Sequence, residues 1–339
     1  MRILFAGSPG IAVPSLEALS AMELAGEGIA LAGILTNADS PKGRSGKPEP
    51  TDVSVAASGL DTARAEKGFP PIAQLKFEKL DAAAREAVAA LKPDLLISFA
   101  YGKIFGPKFL GLFPLGGINI HPSLLPKYRG ATPIPAAILN REKETGVSIQ
   151  KLALEMDAGD ILAQEKFPLS GNETTASLSE DAAQRSAELL ASLTREFAAL
   201  PKEALSKSAL FQGKSQEGEP SCCSLIRKED GHIDWKLSAL EIDARVRAFT
   251  PWPLCFTAQE GQTLYILEGQ PFEGPGSGGQ TETKAAPGIV LGIDRGKGIL
   301  VQTGDGVYAV SRLQWQAKKA LDWKSFMNGA RDFVGTLLG

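Results

Sequence analysis

The chain's 339 residues are 43% apolar and 22% charged, the composition of a soluble globular protein long enough for two domains, each with its own core. A formal net charge of −3 excludes a protein that attracts nucleic acid through its overall field, so any polyanion has to be met by a local cluster of cations. No stretch has the apolar length of a membrane span, and Cys222, Cys223 and Cys255 show neither zinc-ligand nor CxxC spacing, so reduced thiols in the cytoplasm and no membrane partner are expected.

Arg2–Gly7 (RILFAG) predicts a buried strand, followed by a Pro- and Gly-punctuated turn and a helix near residues 11–22. The stretch is too short and too broken by glycine and proline to serve as a signal peptide. The GSPG turn lacks G-x-G-x-x-G, so no dinucleotide site is expected there. Residues 29–37 (IALAGILTN) form a second strand, and the polar segment 38–50 (ADSPKGRSGKPEP) an exposed loop. A helix over 81–91 and strands over 93–100, 116–121, 146–154 and 159–167 follow, then a long helix over 175–200 capped by Thr174 or Thr175. Alternating strands and helices predict an α/β domain: a Rossmann-like, mostly parallel sheet with helices on both faces.

Past Leu200 the pattern changes. Residues 201–220 are polar and read as a linker. A short helix over 237–249 and several short strands then predict a small C-terminal β-barrel, OB-like in type. The expected organisation is therefore a catalytic domain over 1–200, a linker over 201–220 and a barrel domain over 221–339.

The chemistry centres on INIHPSLLPKYRG, which holds one of only two histidines. In an extended INIH, Asn119 and His121 point to the same side, at a strand end where open α/β sheets bind ligands. A lone histidine is ordinarily a packed or surface residue, and His232 is read that way. At 119–121, however, the carboxamide can donate to an oxyanion developing on a carbonyl, and the imidazole can take a proton from an attacking amine. No Ser, Cys or Lys nearby has the surroundings of an activated nucleophile, so direct attack by the substrate's own amine is expected. A carboxylate partner for the imidazole is offered by LEMDAGDIL, as Asp157 or Asp160; chemistry alone leaves both open.

INIHPSLLPKYRGATPI together with LEMDAGDIL resembles the N10-formyltetrahydrofolate-dependent formyltransferases. The likeness runs from RILFAGSP through SFAYGKIF, ETGVSI and IDWKLSALEIDARVRAFTPWP to TGDGVYAVSRLQ and KKALDWKSFMNG. The resemblance implies a catalytic trio of Asn119, His121 and Asp157, and so chooses the first aspartate. It implies 10-formyltetrahydrofolate as co-substrate, held by Ser123, Leu124, Leu125 and Pro126 and by a loop with Phe99, Tyr101 and Gly102 beside the pterin. No metal is expected.

The likeness is greatest to members that act on initiator methionyl-tRNA, in which a basic loop enters the acceptor stem. That implies tRNA contact by Lys42, Arg44 and Lys47, a tRNA-binding role for the barrel, and a monomeric enzyme. Tyr128 stands where those members often have Trp, and Pro122 where they have Gly or Ala; neither is expected to touch the trio. The competing readings are a formyltransferase for a nucleotide-linked amino sugar, which would lack the basic loop, and a formyltetrahydrofolate hydrolase or folate-binding module, which would release formate without an acceptor.

Overall fold

The computed structural model describes residues 1–41, 46–274, 285–330 and 332–339. They form two compact units. The first comprises Met1–Pro133, Glu144–Pro168 and Ser179–Cys223; the second comprises Ile134–Lys143, Leu169–Leu178 and Ser224–Gly339.

The first unit is built on a seven-stranded sheet: β1 (Arg2–Gly7), β2 (Ala30–Thr36), β3 (Gln74–Lys76), β4 (Leu95–Phe99), β5 (Gly117–His121), β6 (Glu144–Lys151) and β7 (Ile161–Pro168). In space the order is β7-β6-β5-β4-β1-β2-β3. From β5 to β3 the strands are parallel, whereas β6 is antiparallel to β5 and β7 antiparallel to β6. The α/β, mostly parallel sheet expected from the sequence is the one found.

Strands covered on both faces read as continuous apolar runs, and β4 is buried along its whole length. Leu4, Ala6 and Leu96 pack on one face with Val88 of helix α3 (Ala82–Ala90) and with Phe105, Phe109 and Phe113. Alternation sends Ile3 and Phe5 to the opposite face, where they are fully buried too. Helices α1 (Val13–Leu24) and α2 (Asp52–Glu66) pack against each other and β2. A buried ion pair between Glu23 and Arg64 joins those two helices. Helix α2 has no counterpart among the expected elements: its buried apolar residues are only Val53 and Ala57, and its start is set by Thr51, whose hydroxyl accepts from the Ser54 N–H.

Two boundaries bear on the site. Helix α4 (Thr175–Ala198) matches the long helix expected. The stretch 201–220 is counted with the first unit: Leu205 and Phe211 are buried on short helices, and Lys214 exchanges backbone hydrogen bonds with Ile161 at the start of β7. Within the polar segment after β2, Ser40–Pro41 pairs antiparallel with Pro48–Glu49.

The second unit carries β8 (Cys255–Gln259), β9 (Gln262–Pro271), β10 (Val290–Asp294), β11 (Gly298–Gln302), β12 (Val307–Trp315) and β13 (Leu321–Asp322), antiparallel in the order β8-β9-β12-β11-β10 with β13 on β12. Helix α5 (Ala239–Ala248) starts on a capping box of Ser238 and Glu241. The last residues tie the two edges of this sheet together. Val290 N donates to Thr336 O and Leu338 N to Gly288 O on the β10 side, while Gly339 N donates to Ala258 O of β8. An edge left open would expose a row of unpaired backbone groups, and the tail pairs part of each. His232 stands exposed, its ring edge-on to Phe256.

Candidate active site

The strand order of the first unit reverses between β1 and β4, and ligands of open α/β sheets sit beyond the carboxyl ends of the strands at such a point. The segments after β1, β4 and β5 all leave at that edge. In β5 the apolar Ile118 and Ile120 are buried on one face, so Asn119 and His121 share the other. Across the antiparallel pairing with β6, Asn119 faces Gln150 and His121 faces Ser148. Four polar side chains therefore occupy one face of two neighbouring strands.

Asp157 reaches them from the turn joining β6 to β7. Its φ of +52° lies in the left-handed region, which aspartate tolerates better than most residues. Its Oδ1 accepts from Gln150 Nε2 at 2.9 Å and from Asn119 Nδ2 at 3.4 Å, and its Oδ2 accepts from Gly130 N at 2.9 Å. Oδ2 also lies 3.6 Å from His121 Nδ1. Gly159 permits this turn: a Cβ there would stand 1.8 Å from the Lys151 carbonyl oxygen. Gly130 is needed likewise, with φ of +112° and a would-be Cβ 2.2 Å from Cys223 O. Asp160, the other aspartate of the turn, instead accepts from Ser215 Oγ at 3.2 Å.

The tautomer of His121 follows from its partners. Nε2 lies 2.8 Å from the Tyr128 carbonyl oxygen, which can only accept, so Nε2 carries the hydrogen and donates. Tyr128, expected to stay clear of the trio, touches it through its backbone, which no side chain announces. In the neutral ring Nδ1 is then a bare acceptor, turned toward the Asp157 carboxylate. Burial pushes the His121 imidazole below its ordinary pKa, opposed by the Asp157 charge and by the bond to Tyr128 O. A neutral imidazole with a free lone pair beside an anion is ready to take a proton at Nδ1 and to be stabilised once it has done so.

The segment after His121 is held from below. Ser123 is buried; its Oγ donates to Lys127 O at 2.6 Å and its carbonyl accepts from Ser148 Oγ at 2.7 Å. Ser148 Oγ in turn accepts from Leu125 N at 3.2 Å and from Gln164 Nε2 at 2.8 Å. Leu125 is buried, while Leu124 and Pro126 are half-buried. At the end of β4 Phe99 is buried, and beyond it Tyr101 is buried and Gly102 exposed. The Tyr101 ring stacks on Phe105 in the apolar cluster, its hydroxyl without a partner among the described residues, and burial pushes that phenol up to about 12.

The structure thus brings Asn119, His121 and Asp157 together at the end of β5, with Ser123–Pro126 continuing from it in the chain. The side chains of Phe99 and Tyr101 point into the core. Lys47 is exposed, and Lys42 and Arg44 lie outside the described residues.

Four contributors escape a reading of the sequence. Ser148 and Gln150 leave a faint trace, as polar residues at alternate positions of the apolar strand GVSIQKLAL. Gly130 N and Gln216 leave none, because a backbone donor has no side-chain signature and Gln216 is remote in sequence. Gln216 Nε2 donates to Asp157 O at 2.8 Å and Gly159 O at 2.9 Å. Among the described residues no group of His, Cys, Asp and Glu is arranged to hold a metal ion, and no helix is long and apolar enough to cross a membrane.

The family profile described as formyl transferase matches residues 1–194, and that of the formyl transferase C-terminal domain matches residues 225–331. A methionyl-tRNA formyltransferase from Treponema denticola is 46% identical over 336 residues, 98% of each chain. Another, from Treponema pallidum strain Nichols, is 40% identical over 332 residues, 97% of each chain. Among solved structures, HypX from Aquifex aeolicus in complex with tetrahydrofolic acid is similar in fold, with a TM-score of 0.59 and 18% identity, over 98% of this chain and 48% of its own.

Proposed function

The chain belongs to the formyl transferase family, and from that premise we propose that it is a methionyl-tRNA formyltransferase: it moves the formyl group of 10-formyltetrahydrofolate to the free amine of initiator methionyl-tRNA, for translation initiation. The observation that carries the chemistry is the meeting of Asn119, His121 and Asp157 around one point at the end of β5. The near full-length likeness to proteins of that name supports the choice of acceptor.

The folate co-substrate supplies an activated one-carbon unit. Asn119 Nδ2, whose bond to Asp157 is long at 3.4 Å, is free to turn its donor to the formyl oxygen as negative charge grows there. His121 Nδ1 takes the proton of the attacking amine, and Asp157 Oδ2 stabilises the imidazolium that results. The same proton passes to the departing folate nitrogen as the tetrahedral adduct collapses and its carbon–nitrogen bond to the donor breaks. The residue chemistry suits a flat, amide-edged ring. Exposed backbone around Ala100 and Gly102, with φ of +51° and +80°, offers peptide groups for its edge, and Leu124 and Pro126 offer apolar surface for its face.

Catalysis is assigned to the first unit, and tRNA contact to the second unit and to Lys42, Arg44 and Lys47. The same reading makes the protein a cytoplasmic monomer that uses folate and no metal. Incubation with the formyl donor and charged initiator tRNA is expected to yield formyl-methionyl-tRNA and to leave a nucleotide-linked amino sugar untouched. Formylation of the sugar alone would reassign the acceptor. Formate release with neither acceptor would make the protein a hydrolase.

A further inference from the structure

Arg129, Gln216 and Gln150 are linked in series toward Asp157. Arg129 donates through Nε and Nη2 to Gln216 Oε1, at 3.1 and 2.7 Å. Gln216 Nε2 faces three acceptors: Asp157 O, Gly159 O and, at 3.3 Å, Gln150 Oε1. Gln150 Oε1 also accepts from Gly159 N at 3.1 Å, and Gln150 Nε2 donates to Asp157 Oδ1 at 2.9 Å.

The direction of every bond in this series follows from its first member. A guanidinium has donors only, so Gln216 must turn its oxygen to Arg129 and its amino group to the turn. Gln150 must then turn its own oxygen to Gln216 and to Gly159 N, which leaves its amino group for the carboxylate. Neither amide can flip without setting like against like in a half-buried site, where an unmade bond is costly. The geometry points to Gln216 as a positioning residue that, polarised by Arg129 and acting through Gln150, presents a fixed donor to Asp157 and so tunes how readily His121, facing that carboxylate, takes up a proton. This rests on the transfer reaction assigned above and adds the source of its proton poise.

Among the described residues, the charged and titratable groups that face the Asp157 carboxylate or belong to its turn and bond series are His121 from β5, Arg129 from the segment after it with Glu155 paired to it at 3.4 Å, Asp160 on the same turn, and the Cys223 thiol. Of these, only Arg129 brings positive charge permanently, and Gln216 is the group that conducts its polarity inward. Breaking the series removes positive potential from beside His121, so the imidazole binds its proton more readily.

The test is a ¹⁵N NMR titration of the His121 ring in the full chain. The chain has two histidines, and His232→Gln removes the other signal. Gln216→Leu and Arg129→Met are each expected to raise the His121 midpoint, by about half to one pH unit. Combined, they should shift it by less than the sum, and Arg129→Lys, which keeps a cationic donor, should stay near the parent. At neutral pH the kcat of Gln216→Leu should fall about tenfold with KM little changed.

A midpoint that stays put or falls in folded Gln216→Leu protein, or shifts that add in full, would overturn the inference. Should Gln216→Leu fail to fold, Gln150→Leu breaks the same series and must give the same rise. The midpoint is read without turnover, so a failure to formylate tRNA would sink the functional assignment and leave this test standing.

Discussion

Asn119 and Gln150 are register partners across β5 and β6, and both carboxamides donate to the same oxygen of Asp157, at 3.4 and 2.9 Å. The shorter bond holds the carboxylate; the longer one leaves Asn119 available for a substrate oxygen. Under the mechanism proposed above, two residues of like chemistry divide into a support and a reagent.

That division is testable by substitution. Asn119→Ala is expected to lower kcat by about 10²–10³-fold, the usual cost of a lost oxyanion donor, with folate affinity nearly unchanged. His121→Ala should cost roughly 10²–10⁴-fold, as a general base does. Single-turnover formylation alongside folate titration separates the two effects; a parallel loss of folate binding would speak against these roles.

The buried imidazole also predicts how stability depends on pH. Unfolded, His121 titrates at its ordinary 6.5; folded, burial holds it lower. Between those two values the unfolded chain binds more protons than the folded one, so stability falls as pH drops from 6.5 toward the folded value. His121→Gln should flatten that slope. Melting temperatures followed from about pH 7.5 to about pH 5 check it, and an unchanged slope in the variant would assign the acid sensitivity elsewhere.

Gly159 sets the path of the Asp157 turn. The alanine Cβ of Gly159→Ala would sit 1.8 Å from the Lys151 carbonyl oxygen, so the backbone must move. A loss of about 1–3 kcal/mol is expected, with a fall in kcat larger than stability alone explains, because the carboxylate moves with the turn. Denaturant melts and kinetics on the same protein check both parts.

In the second unit the chain end holds two sheet edges, and Leu338 is buried there. Leu338→Ala is expected to destabilise that unit by roughly 2–4 kcal/mol, through lost burial and the cavity left behind. Hydrogen exchange should show faster exchange in β8 and β10 and little change in β1 or β4. Uniform exchange throughout would mean that the tail carries no such load.

Much of the fold is legible in the sequence because its signals are local. Apolar runs such as RILFAG and LLISF declare covered strands, and the long amphipathic stretch after Thr175 declares α4. Helix α2 is not legible: its two buried apolar residues, Val53 and Ala57, give weak periodicity, and packing on β2 and α1 supplies what propensity does not. The segment 201–220 reads as a spacer because its two apolar anchors, Leu205 and Phe211, are isolated among polar residues.

At the site, strand alternation is enough to put Asn119 and His121 on a shared face, and the order of residues alone announces an acid downstream on a glycine-bearing turn. Which acid meets them is settled in three dimensions, because a turn's aim depends on β6 pairing antiparallel with β5 and on the left-handed backbone at Asp157. The tautomer of His121 is settled there too, through a backbone carbonyl that no residue type announces. So is the recruitment of Gln216 from far along the chain, because hydrogen bonds depend on distance in space and carry no trace in sequence separation.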